Sequence, residues 1–295
     1  MRALAAALLF VVARAALAHA EGSGEAGEGF LIALLFGCAA WYLVGFVRVY
    51  AESRGGRPSL ARHALLFAGG WLVIALSLLT PLHALGGRSF TAHMIEHELL
   101  MLVAAPLFAW SKPLGVLLWA FPARARHSIA SIAQHRWYDA AWSGISTPMA
   151  AALVQAAVMW LWHAPSLFNR ALVSEGWHAA QHLSFVFAAI LFWWSIDAAA
   201  RERRAGVAAV WLFFTSLQSG LLGVLMTFAQ SPWYPRYIEL GLSGLAGMTP
   251  LEDQQLAGII MWIPGGMVHA IVALVYLSRW LKEPRAAVGN FPTGA

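Results

Sequence analysis

The sequence predicts an all-α membrane protein, a bundle of about seven transmembrane helices, and three observations predict it. Of the 295 residues, 60% are hydrophobic and only 11% charged, whereas a soluble domain carries about 25% charged residues. The mean hydropathy is +0.65. The apolar residues are gathered into runs, each near the ~20 residues that a helix needs to cross about 30 Å of hydrocarbon. Helix follows from lipid itself, where every backbone N–H and C=O must pair within its own segment.

The chain opens Met1-Arg2, continues through an apolar stretch from Ala3 to Leu17, and reaches Ala18-His19-Ala20. A positive start, an apolar core and an A-x-A ending predict a signal peptide over 1–20, with Arg14 the one departure. Residues 21–29 are rich in Gly and Glu and predict a flexible exported tail. The transmembrane domain is expected over 30–282, with runs at 30–48, 63–82, 93–110, 147–163, 178–198, 207–229 and 256–278. Pro106 and Pro264 fall inside the third and seventh runs and predict kinks. A cytoplasmic tail is expected over 283–295.

The loops set the orientation. Arg48, Arg54, Arg57 and Arg62 flank or fill loop 49–62, and Lys112, Arg124, Arg126 and Arg136 lie in loop 111–146. Arg201, Arg203 and Arg204 lie in loop 199–206, and Arg279, Lys282 and Arg285 in the C-terminal segment. The alternating loops hold Arg88, Arg170 and Arg236 singly. The excess of Arg and Lys marks the cytoplasmic side, so the N-terminus is expected outside and the C-terminus in the cytoplasm of a multi-pass inner (plasma) membrane protein. The same loops explain the net charge of +5. There is no basic stripe interleaved with aromatics, and nucleic acid is not an expected partner; membrane lipid is. Most Trp residues fall near run ends, as an aromatic belt does. Cys38 is the sole cysteine, which excludes an internal disulfide and a Cys-pair metal site.

The candidate chemistry lies in the histidines. The third run opens His93-Met94-Ile95-Glu96-His97, and the fifth opens His178-Ala179-Ala180-Gln181-His182. Both are H-x-x-x-H, which puts two imidazoles on one helix face. Both runs enter from the outside, so the pairs lie at equal depth. His83 at the exit of the second run and His163 at the exit of the fourth reach the same level, while His269 lies deeper in the seventh. Polar groups inside a bilayer are costly and tend to be functional. Met101, four residues past His97, falls on roughly the His97 face, and thioether sulfur selects cuprous copper while imidazole suits copper, zinc, iron and nickel. The candidate metal ligands are thus His93, His97, His163, His178, His182, Met101, His83 and His269. Glu96 and Glu98 are candidate orienting carboxylates or simple interfacial groups. The donor types leave copper, zinc, iron and nickel open. Two other readings use the same residues: a bis-histidine haem-binding electron-transfer protein, and a scaffold whose histidines only make hydrogen bonds. No H-E-x-x-H, P-loop, dinucleotide fingerprint or G-x-S-x-G stands out, so no catalytic residues are expected.

Three segments resemble those of the polytopic CtaG-type cytochrome c oxidase assembly factors. They are His93 through Leu107, on the pattern H-M-x-x-H-x-L-L-M-L-x-x-x-P-L; Trp162-His163-Ala164-Pro165 with His178 and His182; and Asp253-Gln254-Gln255 through Gly258 with Met261-Trp262-Ile263-Pro264-Gly265-Gly266. The resemblance covers about residues 28–282. It implies an inner-membrane factor that helps build haem-copper cytochrome c oxidase by handling copper, with oxidase subunits or their copper chaperones as partners. The position of Glu96 is usually Gln in that family.

The loop charges predict that reporter fusions after Gly206 and after Arg285 read cytoplasmic and that one after Gly244 reads periplasmic. A periplasmic readout at Arg285 overturns the orientation.

Overall fold

The computed structural model describes residues 26–53, 55–202, 204–239 and 247–282. The expected signal peptide at 1–20 and the expected tail at 283–295 lie outside the described residues. The first helix, α1, spans Ala26–Glu52, so residues 26–29, expected in the exported tail, are helical. Then come α2 (Arg57–Leu78), the short α3 (Pro81–Gly86) and α4 (Phe90–Ser111). Three helices follow, α5 (Pro113–Trp119), α6 (Ala123–Ala133) and α7 (Arg136–Ile145). The chain continues through α8 (Pro148–His163), α9 (Pro165–Val173), α10 (Glu175–Arg201), α11 (Ala205–Thr227), α12 (Arg236–Glu239) and α13 (Pro250–Lys282).

Among the described residues five helices, α2, α4, α10, α11 and α13, are long and apolar enough to cross a membrane. A sixth span is formed if α7 and α8, bent by 69°, count as one. The 27-residue α1 covers the first expected run. The chain is a multi-pass helical membrane protein.

α4 is the central helix. Some 67% of its span is buried within the protein, against 17–44% for the other four. Its N-terminal half packs on α13, its C-terminal half on α10, and α2 and α3 lie along its other side. α4 is not α-helical throughout, because Leu99–Ala104 widen into a π-turn. Pro106 explains part of this, since its ring lacks an N–H and crowds the preceding turn. The Ala105 N–H reaches back to Leu100 O. The donor that would follow in the wider pattern is Pro106, which has none, so Met101 O lacks a partner within the helix. Trp193 of α10, fully buried, supplies it with Nε1 2.9 Å from Met101 O. The kink expected at Pro106 is thus a wide turn braced from a neighbouring helix.

α11 and α13 form the most extensive helix pair. Gly223 and Gly258 face each other across it. A Cβ on Gly258 would lie 2.5 Å from Gly223 O and 2.8 Å from Thr227 N, both backbone atoms that cannot swing aside. Small residues at such crossings let backbones approach where lipid provides no hydrophobic drive.

The connections are more ordered than the sequence predicts. The segment 111–146, expected as a loop, forms α5–α7. Arg48 Nη1 donates to Ala120 O at 2.5 Å, so this arginine also neutralises the carbonyl end of α5. α7 buries no residue and exposes Trp137, Tyr138 and Trp142, as does a helix lying in the membrane interface. The loops expected at 83–92 and 164–177 contain α3 and α9, each started by a Pro at its first turn. Residues 250–255, expected in a loop, are the first turns of α13.

Gly258→Leu should separate α11 from α13 and destabilise the protein by about 1–3 kcal/mol, as overpacking does. Thermal unfolding in detergent checks this. An unchanged midpoint refutes the close crossing.

Candidate metal centre

The N-terminus of α4 carries the first histidine pair, and an unusual cap holds it. The carboxylate of Asp253, at the start of α13, accepts from Ser89 Oγ at 2.8 Å, Phe90 N at 2.6 Å and Thr91 N at 3.2 Å. Ser89 Oγ accepts from Ala92 N at 3.3 Å, and Thr91 Oγ1 donates to Asp253 O at 2.9 Å. The free N–H groups of the first turn are thereby satisfied, and a negative charge sits at the positive end of the helix dipole. Gln254 Oε1 accepts from Trp233 N, and Gln255 Nε2 donates to Ala229 O, which ties the preceding connection to the same point.

From that anchor His93 and His97 project from α4 with ring centroids 4.2 Å apart. His178 and His182 project from α10, 4.3 Å apart. The two pairs meet. His93 stacks on His178 at 5.4 Å, His97 lies edge-on to His182 at 5.2 Å, and His93 and His182 are 6.2 Å apart. His83 joins from α3, 5.2 Å from His178 and 5.7 Å from His182. His163 closes the far side: its ring and that of His97 both pack on Phe185. Its Nδ1 donates to Met159 O at 2.7 Å, which leaves Nε2 as the lone-pair nitrogen.

One candidate ligand stands apart. His269 donates Nδ1–H to Gly265 O at 2.8 Å and stacks on Trp193 at 5.5 Å, with Phe192 as its other ring neighbour. Met101 is buried in the apolar core. The α-helical register that placed it on the His97 face is broken by the π-turn that begins at Leu99.

The sequence reading gave too little weight to Glu96. It is fully buried, with Oε1 2.8 Å from His83 Nδ1 and 3.7 Å from His182 Nε2. It also missed the cover over the cluster. Phe90, Phe168, Tyr234 and Tyr237 pack on one another, and Phe168 lies 5.1 Å from His93. Tyr234 Oη donates to His163 O and Tyr237 Oη to Gly86 O. Burial pushes both phenols well above their ordinary range, so they remain protonated donors. Half-buried His83 and His178 form the rim on the other side.

The buried polar atoms are only partly satisfied. Both ring nitrogens of His97 and His182, and Nε2 of His163 and His178, have no hydrogen-bond partner. An unpaired buried polar group costs about 1–3 kcal/mol, and four histidines carry that cost in one place. Imidazole nitrogens suit a late first-row metal ion in donor type, and among the described residues His83, Glu96 and His182 bring one ligand atom each within 4.8 Å of one another.

A family model for the cytochrome c oxidase caa3 assembly factor (Caa3_CtaG) matches residues 40–283. The chain belongs to this family. No curated protein and no solved structure is significantly similar to it. As a Caa3_CtaG protein it is a cytochrome c oxidase assembly factor, and every candidate ligand falls within the matched residues.

Asp253→Ala strips three donors of their acceptor and should lower stability by on the order of 3 kcal/mol. Asp253→Asn, which keeps one oxygen, should cost less. Unfolding midpoints in detergent rank the three proteins, and equal midpoints refute the anchoring role.

Proposed function

We propose that this assembly factor binds copper at the histidine cluster and supports maturation of haem-copper cytochrome c oxidase without catalysing a small-molecule reaction. The observation that carries the reading is the set of unpaired imidazole nitrogens gathered from α4, α8 and α10. A bound cation would supply the partner that the protein withholds. The close ring spacing favours a small ion over haem, whose macrocycle would have to lie between two axial imidazoles. The client's own chemistry favours copper over zinc, which the same donors would hold.

In this reading the protein lies in the inner membrane with its C-terminus in the cytoplasm. The cluster then faces the exported side, where oxidase subunits or their copper chaperones could meet it. His83 and His178 are the first imidazoles that an arriving ion would reach. His93, His97 and His182 are the interior donors. His163, its tautomer fixed by Met159 O, presents Nε2. The aromatic cover excludes water from the interior side, and membrane lipid surrounds the bundle.

The nitrogens of His97 and His182 hold no hydrogen bonds that the fold needs. Replacing both with Ala should therefore leave the protein inserted and at normal abundance by blot. Copper content and cytochrome oxidase activity should fall together, toward the level of a deletion strain. Full oxidase activity at normal abundance makes the histidines structural. Lost activity with copper content unchanged assigns them another chemistry.

A further inference from the structure

The geometry points to one divalent-ion site within the cluster, formed by His83, Glu96 and His182, in which the Glu96 carboxylate is itself a ligand. The inference rests on the copper reading above and says which side chains hold the ion and in which oxidation state.

Among the described residues, one ligand atom from each of these three side chains lies within 4.8 Å of the other two. Ligands around a single ion at ~2.0–2.2 Å lie roughly 3–4 Å from one another. Glu96 Oε1 stands at the centre of the arrangement, 2.8 Å from His83 Nδ1 and 3.7 Å from His182 Nε2. The three residues come from α3, α4 and α10, so no single helix motif announces the site. Gly86 allows the approach: a Cβ there would meet Glu96 Oε2 at 3.3 Å and His93 Nδ1 at 3.6 Å. The site borders half-buried His83 and is therefore the reachable edge of the cluster.

The donor set selects the charge of the ion. Two imidazoles and one carboxylate suit a divalent, borderline ion, whereas cuprous copper prefers thioether and thiolate. This set contains no thioether. The carboxylate also offsets one of the two charges that such an ion brings into a low-dielectric site. When the ion binds at His83 Nδ1, the ring carries its proton on Nε2 instead, and the interaction with Glu96 passes through the ion.

The ordinary alternative is that Glu96 only orients His83 by a hydrogen bond, and Glu96→Gln separates the two. The amide oxygen still accepts from His83 but is a poor ligand. Full-length protein in detergent, stripped by chelation, is titrated with Cu2+ and, under reducing conditions with a competing chelator, with Cu+. Glu96→Gln should raise the Kd for Cu2+ at least about tenfold, change its electron paramagnetic resonance spectrum to that of a nitrogen-only site, and leave the Kd for Cu+ within about threefold. His83→Ala should remove the same Cu2+ signal, and it carries the test if Glu96→Gln does not accumulate. Unchanged Cu2+ affinity and spectrum in Glu96→Gln overturn the carboxylate ligand, and if the His97 and His182 variants still lose copper, the copper reading stands. Equal weakening of both oxidation states makes Glu96 a positioning residue and overturns the proposal. A wild-type protein that binds Cu+ but not Cu2+ overturns the divalent site alone, and one that binds copper in neither state overturns both readings.

Discussion

The Asp253 carboxylate at the N-terminus of α4 is the contact on which the rest of the arrangement depends. It is buried, it takes two backbone N–H groups and a serine hydroxyl, and it belongs to the longest helix of the bundle. A helix with its first turn fixed in this way cannot slide along its axis or rotate about it. α4 carries His93, Glu96 and His97, so the anchor sets both the depth and the direction of the cluster's interior donors. In a bilayer no water can satisfy an orphaned helix end, which makes such a contact stricter than its counterpart on a soluble surface.

Below the cluster, the π-turn and its brace do related work. A proline in the middle of a buried helix leaves a carbonyl without a donor, and lipid offers none. Trp193 meets that carbonyl and at the same time stacks on His269. One tryptophan thus links α4, α10 and α13 at a single level. The glycine crossing of α11 and α13 provides the close packing on the other side of the bundle.

Buried histidines without hydrogen bonds are unfavourable for folding alone. A protein selected only for stability would pair them or replace them with apolar residues. The anchors around the site, Asp253, Gln254, Tyr234 and Tyr237, offset that cost with satisfied hydrogen bonds and packed aromatic surface. The cluster is therefore a local excess of unpaired imidazole nitrogens set beside anchors that do hold hydrogen bonds. Metal sites have this character when the first ligands are fixed by their neighbours.

The sequence by itself determined the class, the long apolar helices and the pairing of histidines on helix faces. Hydropathy marks the segments apolar enough for lipid, and the obligation to pair backbone groups makes such segments helical. The spacing of His93 to His97 and of His178 to His182 places each pair on one face for the same reason. Only the tertiary structure decided that the faces meet, because a helix at known depth can still point in any direction around its axis. It also decided that Glu96 partners His83 and His182, that His269 belongs with Trp193, and that a π-turn interrupts the helix at Met101. Asp253 read as one acidic residue in a connection, since the three donors it serves lie more than 160 positions away in the chain. Contacts of that range follow from how the helices rotate and cross, and a one-dimensional pattern of hydropathy carries no term for either.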